Sequence, residues 1–465
     1  MCGVIGVSNV PDAARVAYLG LYALQHRGQE SAGIVTVDDD GNPHVVRGMG
    51  LVGDIFREPE IAALDGNVAV GHTRYSTSGS SVLANAQPCM ANYRGGPLAL
   101  AHNGNLTNAP AVKRELVDKG AIFQSSSDSE VIVHLIAQSR ATTPEAQIRE
   151  ALGRVEGAYS LVITVGRTLY CAVDPRGFRP LAVGRIGQGV VVASETCALD
   201  LVGATLIREL GPGDFLEIVD GMVRDLPRLA RAPAAMRCVF ELVYFARPDS
   251  TVFGESVDRV RRELGRRLAR EHPAPGAEIV FSVPDSANMM ALGFSDESGL
   301  KLEHGLIRNH YVGRTFINPT QALRVAKVKI KFNPVRQAIA GRSVVVVDDS
   351  LVRGTTSKGL VQMIRGAGAR EVHLRLGSPP IIGPCHYGID TPNRDELIAA
   401  NHSIEEITRY LGVDSLGSLS LDGMMAAAGT RNGFCHACFS GQYPIEPVTE
   451  LTQIHRDSPL IGSVP

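Results

Sequence analysis

The stretch Val-Val-Val-Val-Asp-Asp-Ser at 344–350 constrains the fold of this 465-residue chain more than any other. Four consecutive β-branched residues suit a central strand of a parallel sheet that is covered on both faces. Two aspartates follow where that strand ends, and ligands of open α/β sheets bind beyond the carboxyl ends of the strands. The sequence therefore predicts an α/β unit with a binding site at this strand end.

The residues after this strand combine a glycine with clustered hydroxyls at the start of a predicted helix, 355–368. Glycine lets a ligand approach the backbone, and hydroxyls and N–H groups at a helix N-terminus bind phosphate. Asp348 and Asp349 are then suited either to accept hydrogen bonds from ribose hydroxyls or to help hold Mg²⁺. The spacing of a P-loop is missing. The alternative is an acidic strand end followed by an ordinary capped helix.

The pattern of predicted elements changes along the chain. Before residue 220, short β-like runs dominate, with helices predicted near 12–26 and 127–140. This pattern favours stacked antiparallel sheets with helices packed on them. Later, strands alternate with helices such as 256–271, which predicts a parallel α/β sheet. A proline-containing break at 220–237 separates the two patterns, and the expected domains are 2–230 and 238–465.

Composition excludes several classes of protein. The net charge is −2, so nothing indicates nucleic acid or a membrane surface as the main partner. The arginine-rich run 259–270 suits the solvated face of an amphipathic helix. No apolar run reaches the length of about 18 residues that a transmembrane helix needs. The first residues are too short for a secretory signal and break at Pro11, so we expect a cytoplasmic protein.

Cys2 is a candidate nucleophile. Removing Met1 would place a thiol and a free α-amine on one residue. An α-amine with a pKa of about 7.7–8.0 can act as a base near neutral pH, so no histidine partner is required. Such a nucleophile needs an oxyanion hole and groups that recognise its substrate. The alternative is that Cys2 is simply a small apolar residue beside a buried strand.

Three clusters offer these groups. Arg74 can bind a carboxylate through two parallel hydrogen bonds, and Asp128 can pair with an ammonium. Asn103 and Gly104 can donate N–H groups to an oxyanion. A ligand with both an α-carboxylate and an α-ammonium is an amino acid, and a thiol that releases ammonia from its side-chain amide points to glutamine. Taken singly, Arg74 could instead form a surface ion pair, Asp128 could cap a helix, and Asn103 with Gly104 could form an ordinary turn.

Together with "QHRGQESAG" at 25–33, this constellation resembles the class II glutamine amidotransferases, which are N-terminal-nucleophile enzymes. The resemblance implies a four-layer αββα sandwich. It also implies these roles: Cys2 as the nucleophile, the Asn103 side chain and the Gly104 N–H as the oxyanion hole, and Arg74 and Asp128 as the glutamine-binding residues.

The stretch 344–359 resembles the signature of type I phosphoribosyltransferases, which bind 5-phosphoribosyl-1-pyrophosphate (PRPP). The resemblance implies a parallel-sheet domain in which Asp348 and Asp349 contact ribose and magnesium. "SVPDSA" at 282–287 resembles an earlier strand end and implies a further magnesium ligand, Ser286. The implied 5′-phosphate-binding residues are Arg353, Gly354, Thr355, Thr356 and Ser357.

The basic segment 313–336 resembles the loop that closes over pyrophosphate in these enzymes. Its charges make such a role plausible, although charge runs are also common on solvated surface hairpins. The cationic residues concerned are Arg314, Arg324, Lys327, Lys329 and Lys331.

Both halves together resemble the glutamine PRPP amidotransferases over nearly the whole chain. The resemblance implies that ammonia made at Cys2 is channelled to the second site. There it displaces pyrophosphate from PRPP and yields 5-phosphoribosylamine, the committed step of purine biosynthesis. It further implies a glycosyltransferase that is inhibited by purine nucleotides such as AMP and GMP and that forms a homotetramer or dimer.

Four cysteines remain in the second half: Cys238, Cys385, Cys435 and Cys438. A C-x-x-C with two distant cysteines can complete a four-thiolate site, and spacing alone does not separate zinc from an iron–sulfur cluster. A redox pair or core cysteines are further alternatives. The segments 238–250 and 385–390 resemble the subclass that carries a [4Fe–4S] cluster, which implies that these four residues are its ligands. Many members carry a propeptide, whereas maturation here would need only removal of Met1.

Two other functions fit parts of the sequence. A regulator that senses PRPP would need the second half alone. The presence of Cys2, Arg74, Asn103, Gly104 and Asp128 together therefore favours an enzyme over a regulator. An amidotransferase acting on a sugar phosphate or on aspartate would not need the acidic strand end and its phosphate cradle. The dinucleotide-like "GMGLVG" at 48–53 lacks a surrounding βαβ unit and indicates little.

Overall fold

The computed structural model describes residues 1–75, 79–230, 232, 234–309, 330–391, 393–429 and 433–446. The chain divides into two compact units. The first unit comprises Met1–Arg237, His386–Asp390 and the described part of the segment from Tyr443. The second comprises Cys238–Cys385 and Thr391–Gln442.

Two antiparallel sheets form the centre of the first unit. The seven-stranded sheet has the order β11-β9-β10-β1-β4-β2-β3, and the six-stranded sheet has the order β13-β12-β8-β7-β6-β5, with the bounds given next. The strands are β1 Gly3–Ser8, β2 Ser31–Val37, β3 Pro43–Met49, β4 Val68–Arg74, β5 Cys89–Tyr93, β6 Gly96–Leu106, β7 Gly157–Val165, β8 Thr168–Val173, β9 Ala182–Ile186, β10 Gly189–Ala193, β11 Thr205–Glu209, β12 Phe215–Val219 and β13 Met222–Asp225.

Helices cover the outer faces of these sheets. They are α1 Ala13–Ala23, α2 Val52–Ile55, α3 Glu58–Ala62, α4 Ala109–Asp118, α5 Ser129–Gln138, α6 Pro144–Leu152 and α7 Thr196–Leu201, with 3₁₀ turns at Gln25–Arg27 and Leu83–Asn85. The predicted helices near 12–26 and 127–140 correspond to α1 and α5. Helices α4 and α6 were not predicted, although Thr143 caps α6 by accepting a hydrogen bond from the Ala146 N–H.

Three hydrophobic cores separate the layers of the first unit. One lies between the sheets and contains Val4, Val70, Ala101 and Val162. A second packs the first sheet against α1, and a third packs the other sheet against α4, α5 and α6. Central strands such as β1 and β7 are buried along their whole length. Strands covered on both faces read as continuous apolar runs, which is why these segments do not alternate. The αββα sandwich predicted for this half is confirmed.

The second half of the chain is built around a parallel sheet of order β18-β17-β21-β22-β23. Its strands are β14 Arg237–Cys238, β15 Thr251–Val252, β16 Glu255–Ser256, β17 Ile279–Ser282, β18 Lys301–Leu302, β19 Leu306–Arg308, β20 Phe332–Pro334, β21 Ser343–Asp348, β22 Glu371–Leu376, β23 Ser415–Ser418 and β24 Phe434–Cys435. The short strands pair as β14 with β24, β15 with β16, and β19 with β20.

The helices of this half are α8 Val257–Glu271, α9 Asn288–Ser298, α10 Arg336–Ile339, α11 Thr355–Gly366, α12 Ile398–Asn401, α13 Ile404–Leu411, α14 Leu421–Ala428 and α15 Ala437–Ser440, with a π-helical turn at Glu241–Phe245 and a 3₁₀ turn at Arg394–Glu396. The predicted helices 256–271 and 355–368 correspond to α8 and α11.

Strand β21 holds the centre of this sheet, as its valines predict. Val344 to Val347 are each at most 2% exposed. Its neighbours β17 and β22 run parallel to it, so the ends of all three strands reach the same edge of the sheet. The predicted parallel α/β architecture is confirmed. Among the residues with a described placement, no helix combines the length and apolar character needed to cross a membrane.

Candidate active sites

Cys2 lies immediately before β1 and is 7% exposed. Strand β1 pairs with β4 so that Gly3 lies opposite Thr73, and this register places the Cys2 thiol 3.7 Å from the Tyr75 carbonyl oxygen. From the other sheet, the Asn103 Oδ1 accepts a hydrogen bond of 3.1 Å from the Cys2 backbone nitrogen. The candidate nucleophile is therefore held by both sheets of the sandwich.

The candidate oxyanion hole lies on β6. Asn103 is fully buried, and its Nδ2 has no hydrogen-bond partner among the described residues. Buried amide donors are rarely left without an acceptor, so the Asn103 Nδ2 is suited to donate a hydrogen bond to a bound ligand. Gly104 has a φ of +155°, and a Cβ there would lie 1.9 Å from the Ala158 carbonyl oxygen. Only glycine fits this position.

Arg74 and Asp128 are both tied to backbone groups near the nucleophile. The buried guanidinium of Arg74 donates to the Ser80 carbonyl at 3.0 Å and lies 3.6 Å from a Glu30 carboxylate oxygen. Asp128 precedes α5 and accepts a 2.9 Å hydrogen bond from the Leu106 N–H. Asp128 occupies the N-cap position of α5, as the helix-cap alternative expects, but its side chain makes no hydrogen bond that caps the helix. That these two residues bind glutamine stays a prediction.

A buried ion pair behind Cys2 was not predicted. The Arg27 Nε donates to the Cys2 carbonyl oxygen at 2.9 Å, and the same guanidinium pairs with Glu195. Both side chains are at most 1% exposed. His26 approaches the same Glu195 carboxylate at 2.8 Å. Arg27 lies in the quoted segment 25–33, but Glu195 follows β10 and carries no local signal in the sequence.

Three polar side chains join the oxyanion strand to α5. The His102 ring lies 2.9 Å from the Ser129 hydroxyl, which also accepts from the Gln87 amide at 3.0 Å. The Gln87 Oε1 accepts a hydrogen bond of 2.8 Å from the backbone N–H of His102. His102 directly precedes Asn103, and Ser129 directly follows Asp128. This network therefore fixes the spacing between the candidate oxyanion donor and the candidate ammonium ligand.

The second candidate site lies at the end of β21. The Ser286 hydroxyl donates to one carboxylate oxygen of Asp349 at 2.5 Å, and the Ser350 hydroxyl donates to the other at 2.6 Å. Asp348 accepts a hydrogen bond of 2.9 Å from the Asp349 N–H. The neighbouring strands β17 and β21 thus bring Ser286 to the acidic pair, as the motif predicted.

Burial and mutual repulsion make this acidic pair resist ionisation. Burial raises the pKa of Asp348 well above its usual range, and the neighbouring Asp349 charge raises it further. Burial also raises the pKa of Asp349. The Lys331 ammonium counteracts the rise in the pKa of Asp348, so this residue of the basic segment lies near the acids. A bound cation would favour the ionised pair, and hydroxyl and carboxylate oxygens are ligands that Mg²⁺ prefers.

The predicted phosphate cradle is the start of α11. Gly354 precedes the helix with a φ of +75°, and a Cβ there would lie 2.8 Å from the Ile398 side chain. Thr355, Thr356 and Ser357 form the first turn, where backbone N–H groups have no partner within a helix. Arg353 makes an exposed ion pair with Glu396 at 2.8 Å and lines a cavity of about 360 Å³.

Cys438 lies within electrostatic range of the other three cysteines of the second half, Cys238, Cys385 and Cys435. Burial raises the pKa of Cys438 well above its usual value, and the negative charges of the other three cysteines raise it further. The Ile382 and Gly383 N–H groups donate to the Cys438 carbonyl, which holds the chain before Cys385 against this residue. Within the described ranges, no group of three or more His, Cys, Asp or Glu side chains is close enough to hold a single metal ion.

Part of the predicted basic loop cannot be compared with the structure. Lys331 is described, and its ammonium lies 4.9 Å from the centre of the Phe332 ring. The residues that lie outside the described part of the chain are Arg314, Arg324, Lys327 and Lys329. The loop's role over pyrophosphate stays a prediction.

Comparison with known proteins places the chain in a family. The glutamine amidotransferase domain family matches residues 72–201. An amidophosphoribosyltransferase of Archaeoglobus fulgidus is 48% identical, with coverage of 96% of this chain and 98% of the relative. A chloroplastic amidophosphoribosyltransferase of Arabidopsis thaliana is also 48% identical, over 97% of this chain and 80% of the relative.

A solved structure agrees with this sequence similarity. Glutamine PRPP amidotransferase from B. subtilis, complexed with ADP and GMP, superposes with a TM-score of 0.91 at 44% identity, covering 98% of this chain and 100% of that chain. Similarity at this level spans both units and both candidate sites. The chain therefore belongs to the amidophosphoribosyltransferase family, whose reaction is the glutamine-dependent conversion of PRPP to 5-phosphoribosylamine in purine biosynthesis.

Proposed function

We propose that this chain makes 5-phosphoribosylamine with two active sites in two domains, 2–230 and 238–465. The first domain releases ammonia from glutamine at Cys2. The ammonia passes through a channel to the second domain and attacks C1 of PRPP, which expels pyrophosphate. The observation that carries the proposal is the buried Asn103 amide nitrogen, which has no partner among the described residues although its own oxygen accepts from the Cys2 nitrogen.

The Cys2 chemistry follows from these positions once Met1 has been removed. The α-amine takes the thiol proton, the sulfur attacks the side-chain carbonyl carbon of glutamine, and a tetrahedral oxyanion forms. The Asn103 amide and the Gly104 N–H donate to that oxyanion. The ammonium returns its proton to the departing nitrogen, ammonia leaves, and water hydrolyses the thioester to glutamate. While Met1 is attached, the Cys2 nitrogen is an amide and cannot act as the base.

One side chain orients both partners of the reaction. The Asn103 Oδ1 accepts from the Cys2 nitrogen at 3.1 Å, so it directs the lone pair of the mature α-amine toward the thiol. The Nδ2 of the same amide is left for the oxyanion. Arg74 holds the substrate carboxylate and Asp128 its ammonium, since their charges are opposite to those of the two groups. The network through His102 and Ser129 ties Asp128 to the strand that carries Asn103.

In the second domain, the start of α11 binds the 5′-phosphate of PRPP. The proposed phosphate ligands are Arg353, Gly354, Thr355, Thr356 and Ser357. The exposed pair of Arg353 with Glu396 is weak enough to exchange for a phosphate. Asp348 and Asp349 hold the ribose hydroxyls. With Ser286 they would also hold Mg²⁺, which supplies positive charge that stabilises the departing pyrophosphate.

We further propose a [4Fe–4S] cluster at Cys238, Cys385, Cys435 and Cys438. The support is that the other three cysteines raise the pKa of Cys438, so the positive charge of a bound iron cluster would favour the thiolate of that residue. The role of the cluster would be structural, since its ligands come from three remote segments of the chain.

Regulation, assembly and location are also proposals. The B. subtilis relative was solved with ADP and GMP, which supports feedback inhibition by purine nucleotides here. We infer a homo-oligomer, either a tetramer or a dimer, because the family usually forms one. We infer a cytoplasmic location, since eight cysteines in a chain of 465 residues are too few for the disulfide scaffold of a small secreted protein.

The test is PRPP-dependent glutamate release by anaerobically purified protein, with intact-mass analysis to show that Met1 is absent. We expect glutamine hydrolysis that PRPP stimulates and that Cys2→Ala abolishes. Absence of hydrolysis from protein that lacks Met1 and retains its iron would overturn the proposal. PRPP binding without any chemistry would then favour the regulator considered above.

A further inference from the structure

Residues His386–Asp390, the HYGID segment, pack with the first unit although the chain on either side of them belongs to the second. The Tyr387 ring is 2% exposed and stacks on Phe178 with 4.5 Å between ring centres. The Tyr387 hydroxyl donates to the Ile445 carbonyl at 2.7 Å. This segment is therefore firmly anchored against the amidotransferase sandwich.

A buried arginine is satisfied by the same segment. Arg179 is fully buried, and its Nε and Nη2 donate to the Tyr387 carbonyl oxygen at 3.0 Å and 2.5 Å. A buried guanidinium without acceptors is strongly unfavourable, so the position of this carbonyl is closely constrained. Hydrogen bonds to charged groups are also stronger than those between neutral groups. Arg179 thus fixes the backbone that leads into Gly388.

Gly388 lies directly against the candidate oxyanion hole. It has a φ of +105°, and a Cβ there would lie 2.8 Å from the Gly104 carbonyl carbon and 3.0 Å from its oxygen. The neighbouring Asn105 donates its side-chain amide to the His386 carbonyl at 2.9 Å. The backbone on the carboxyl side of Gly104 is therefore held between Gly388 and Asn105.

We propose that the HYGID segment positions the oxyanion hole, with Gly388 and Asn105 as positioning residues for the Gly104 N–H. This inference rests on the proposed function, which makes that N–H an oxyanion donor. A donor stabilises the tetrahedral intermediate only if it is already aimed at the oxyanion, and small displacements sharply lower the rate. Gly104 cannot be held by side-chain packing of its own, because it has none. Contact from a second glycine backbone supplies that restraint.

The test compares Asn105→Ala and Gly388→Ala with Asn108→Ala. Asn108 is a matched control, since it is similarly half-buried near the end of β6 and makes two hydrogen bonds, to the Arg154 carbonyl and from the Glu156 N–H. Three quantities are measured on each protein: kcat and KM for glutamine hydrolysis, the rate of phosphoribosylamine synthesis from free ammonia, and the rate of Cys2 alkylation by iodoacetamide. Alkylation needs the thiolate but no oxyanion hole.

We expect kcat for glutamine to fall roughly 10-fold in Asn105→Ala and about 10²-fold in Gly388→Ala, approaching the loss of a whole oxyanion donor. The KM for glutamine, ammonia-dependent synthesis and Cys2 alkylation should stay within about 2-fold, because substrate binding and the thiolate do not depend on Gly104. Asn108→Ala should match the wild type in all three.

Wild-type kcat in both test variants would overturn the inference. A parallel loss of all three readouts would also overturn it, since that pattern indicates general unfolding rather than positioning. Asn103→Ala separates the inference from the proposed function. If that variant loses glutamine hydrolysis while Asn105→Ala and Gly388→Ala keep it, only the positioning role fails. If Asn103→Ala also hydrolyses glutamine normally, the oxyanion-hole assignment itself fails.

Discussion

The two candidate active sites are built in contrasting ways. The Cys2 site joins residues from both sheets of the first unit, and its charged groups, such as Arg27 and Glu195, are buried. The candidate PRPP site comes largely from one continuous stretch after β21, and its Arg353 makes an exposed ion pair. A site whose hydrogen-bond donors must point at a small oxyanion needs rigid neighbouring residues. A site that binds a large anionic substrate can use exposed charged groups that exchange one partner for another.

Cys2→Ala tests the division of labour between the sites and should have the largest effect. We expect glutamine-dependent synthesis to fall by roughly 10⁴-fold or more, since loss of a nucleophile removes the covalent route. Ammonia-dependent synthesis should be retained if, as proposed, the PRPP site belongs to the other domain. Both rates are measured with the same preparation. Equal loss of the two activities would show that the sites are not separable in this way.

Glu195→Gln tests whether the Cys2 site depends on its buried charges. Breaking a buried pair by removing one partner destabilises a protein by about 3–5 kcal/mol, because Arg27 keeps an uncompensated charge. We expect a clearly lower Tm and a lower kcat for glutamine, since Arg27 also holds the Cys2 carbonyl. Thermal unfolding and glutamate release are the measurements. Glu58→Gln, which disrupts an exposed pair with Arg15, is the control and should leave both unchanged. An unchanged Tm in Glu195→Gln would contradict this account.

Asp348→Asn tests the two adjacent carboxylates at the end of β21 in the candidate PRPP site. Folding raises the pKa of Asp348, so the folded protein holds that proton more tightly than the unfolded chain does. Stability from this group is therefore greatest at low pH and falls as pH rises from the ordinary aspartate pKa of about 3.9 through the raised value. Without magnesium, the variant should have a Tm several degrees above the wild type at neutral pH, and the difference should shrink toward pH 4. Melting curves across this range measure it.

Magnesium provides the control for that experiment. Mg²⁺ should raise the Tm of the wild type at neutral pH and raise that of Asp348→Asn much less, because the variant lacks one of the charges that the cation neutralises. An equal magnesium response in the two proteins would argue against Asp348 as a ligand.

Glu396→Ala tests whether the exposed ion pair that holds Arg353 contributes to stability or to PRPP binding, and it should have the smallest effect. Exposed ion pairs contribute about 0–1 kcal/mol, so stability should hardly change. Freed Arg353 should leave the KM for PRPP unchanged or lower it slightly, whereas Arg353→Ala should raise it about 10-fold, as expected for loss of a charged hydrogen bond. Steady-state kinetics with varied PRPP decide this. A large loss of stability in Glu396→Ala would mean that the cradle is as rigid as the Cys2 site.

Local patterns were enough to predict the elements that frame the second candidate site. The valine run predicted the central strand, and the residues after it predicted the start of α11. The roles of Cys2 as nucleophile and of Asn103 and Gly104 as oxyanion donors stay predictions. The strand and helix predictions succeed because short contiguous segments carry their own backbone preferences.

Contacts between remote segments were not predictable in the same way. Glu195 follows β10 without any motif, and only the pairing of β1 with both β10 and β4 brings it toward Cys2. Helix α4 was not predicted, although it is as long as α5. The approach of Gly388 to Gly104 joins residues far apart in the chain. Nothing in the sequence of the HYGID segment indicates that its glycine contacts Gly104.

The sequence alone therefore determined the fold class of each half, the family resemblance and the candidate residues for the chemistry. Those properties depend on residue identity and on spacing over a few positions. The tertiary structure decided which buried charges surround Cys2, which polar network spaces its ligands, and which backbone restrains Gly104. Those properties depend on strand register and on close packing between distant segments, because a buried polar group is tolerated only where folding brings it a partner.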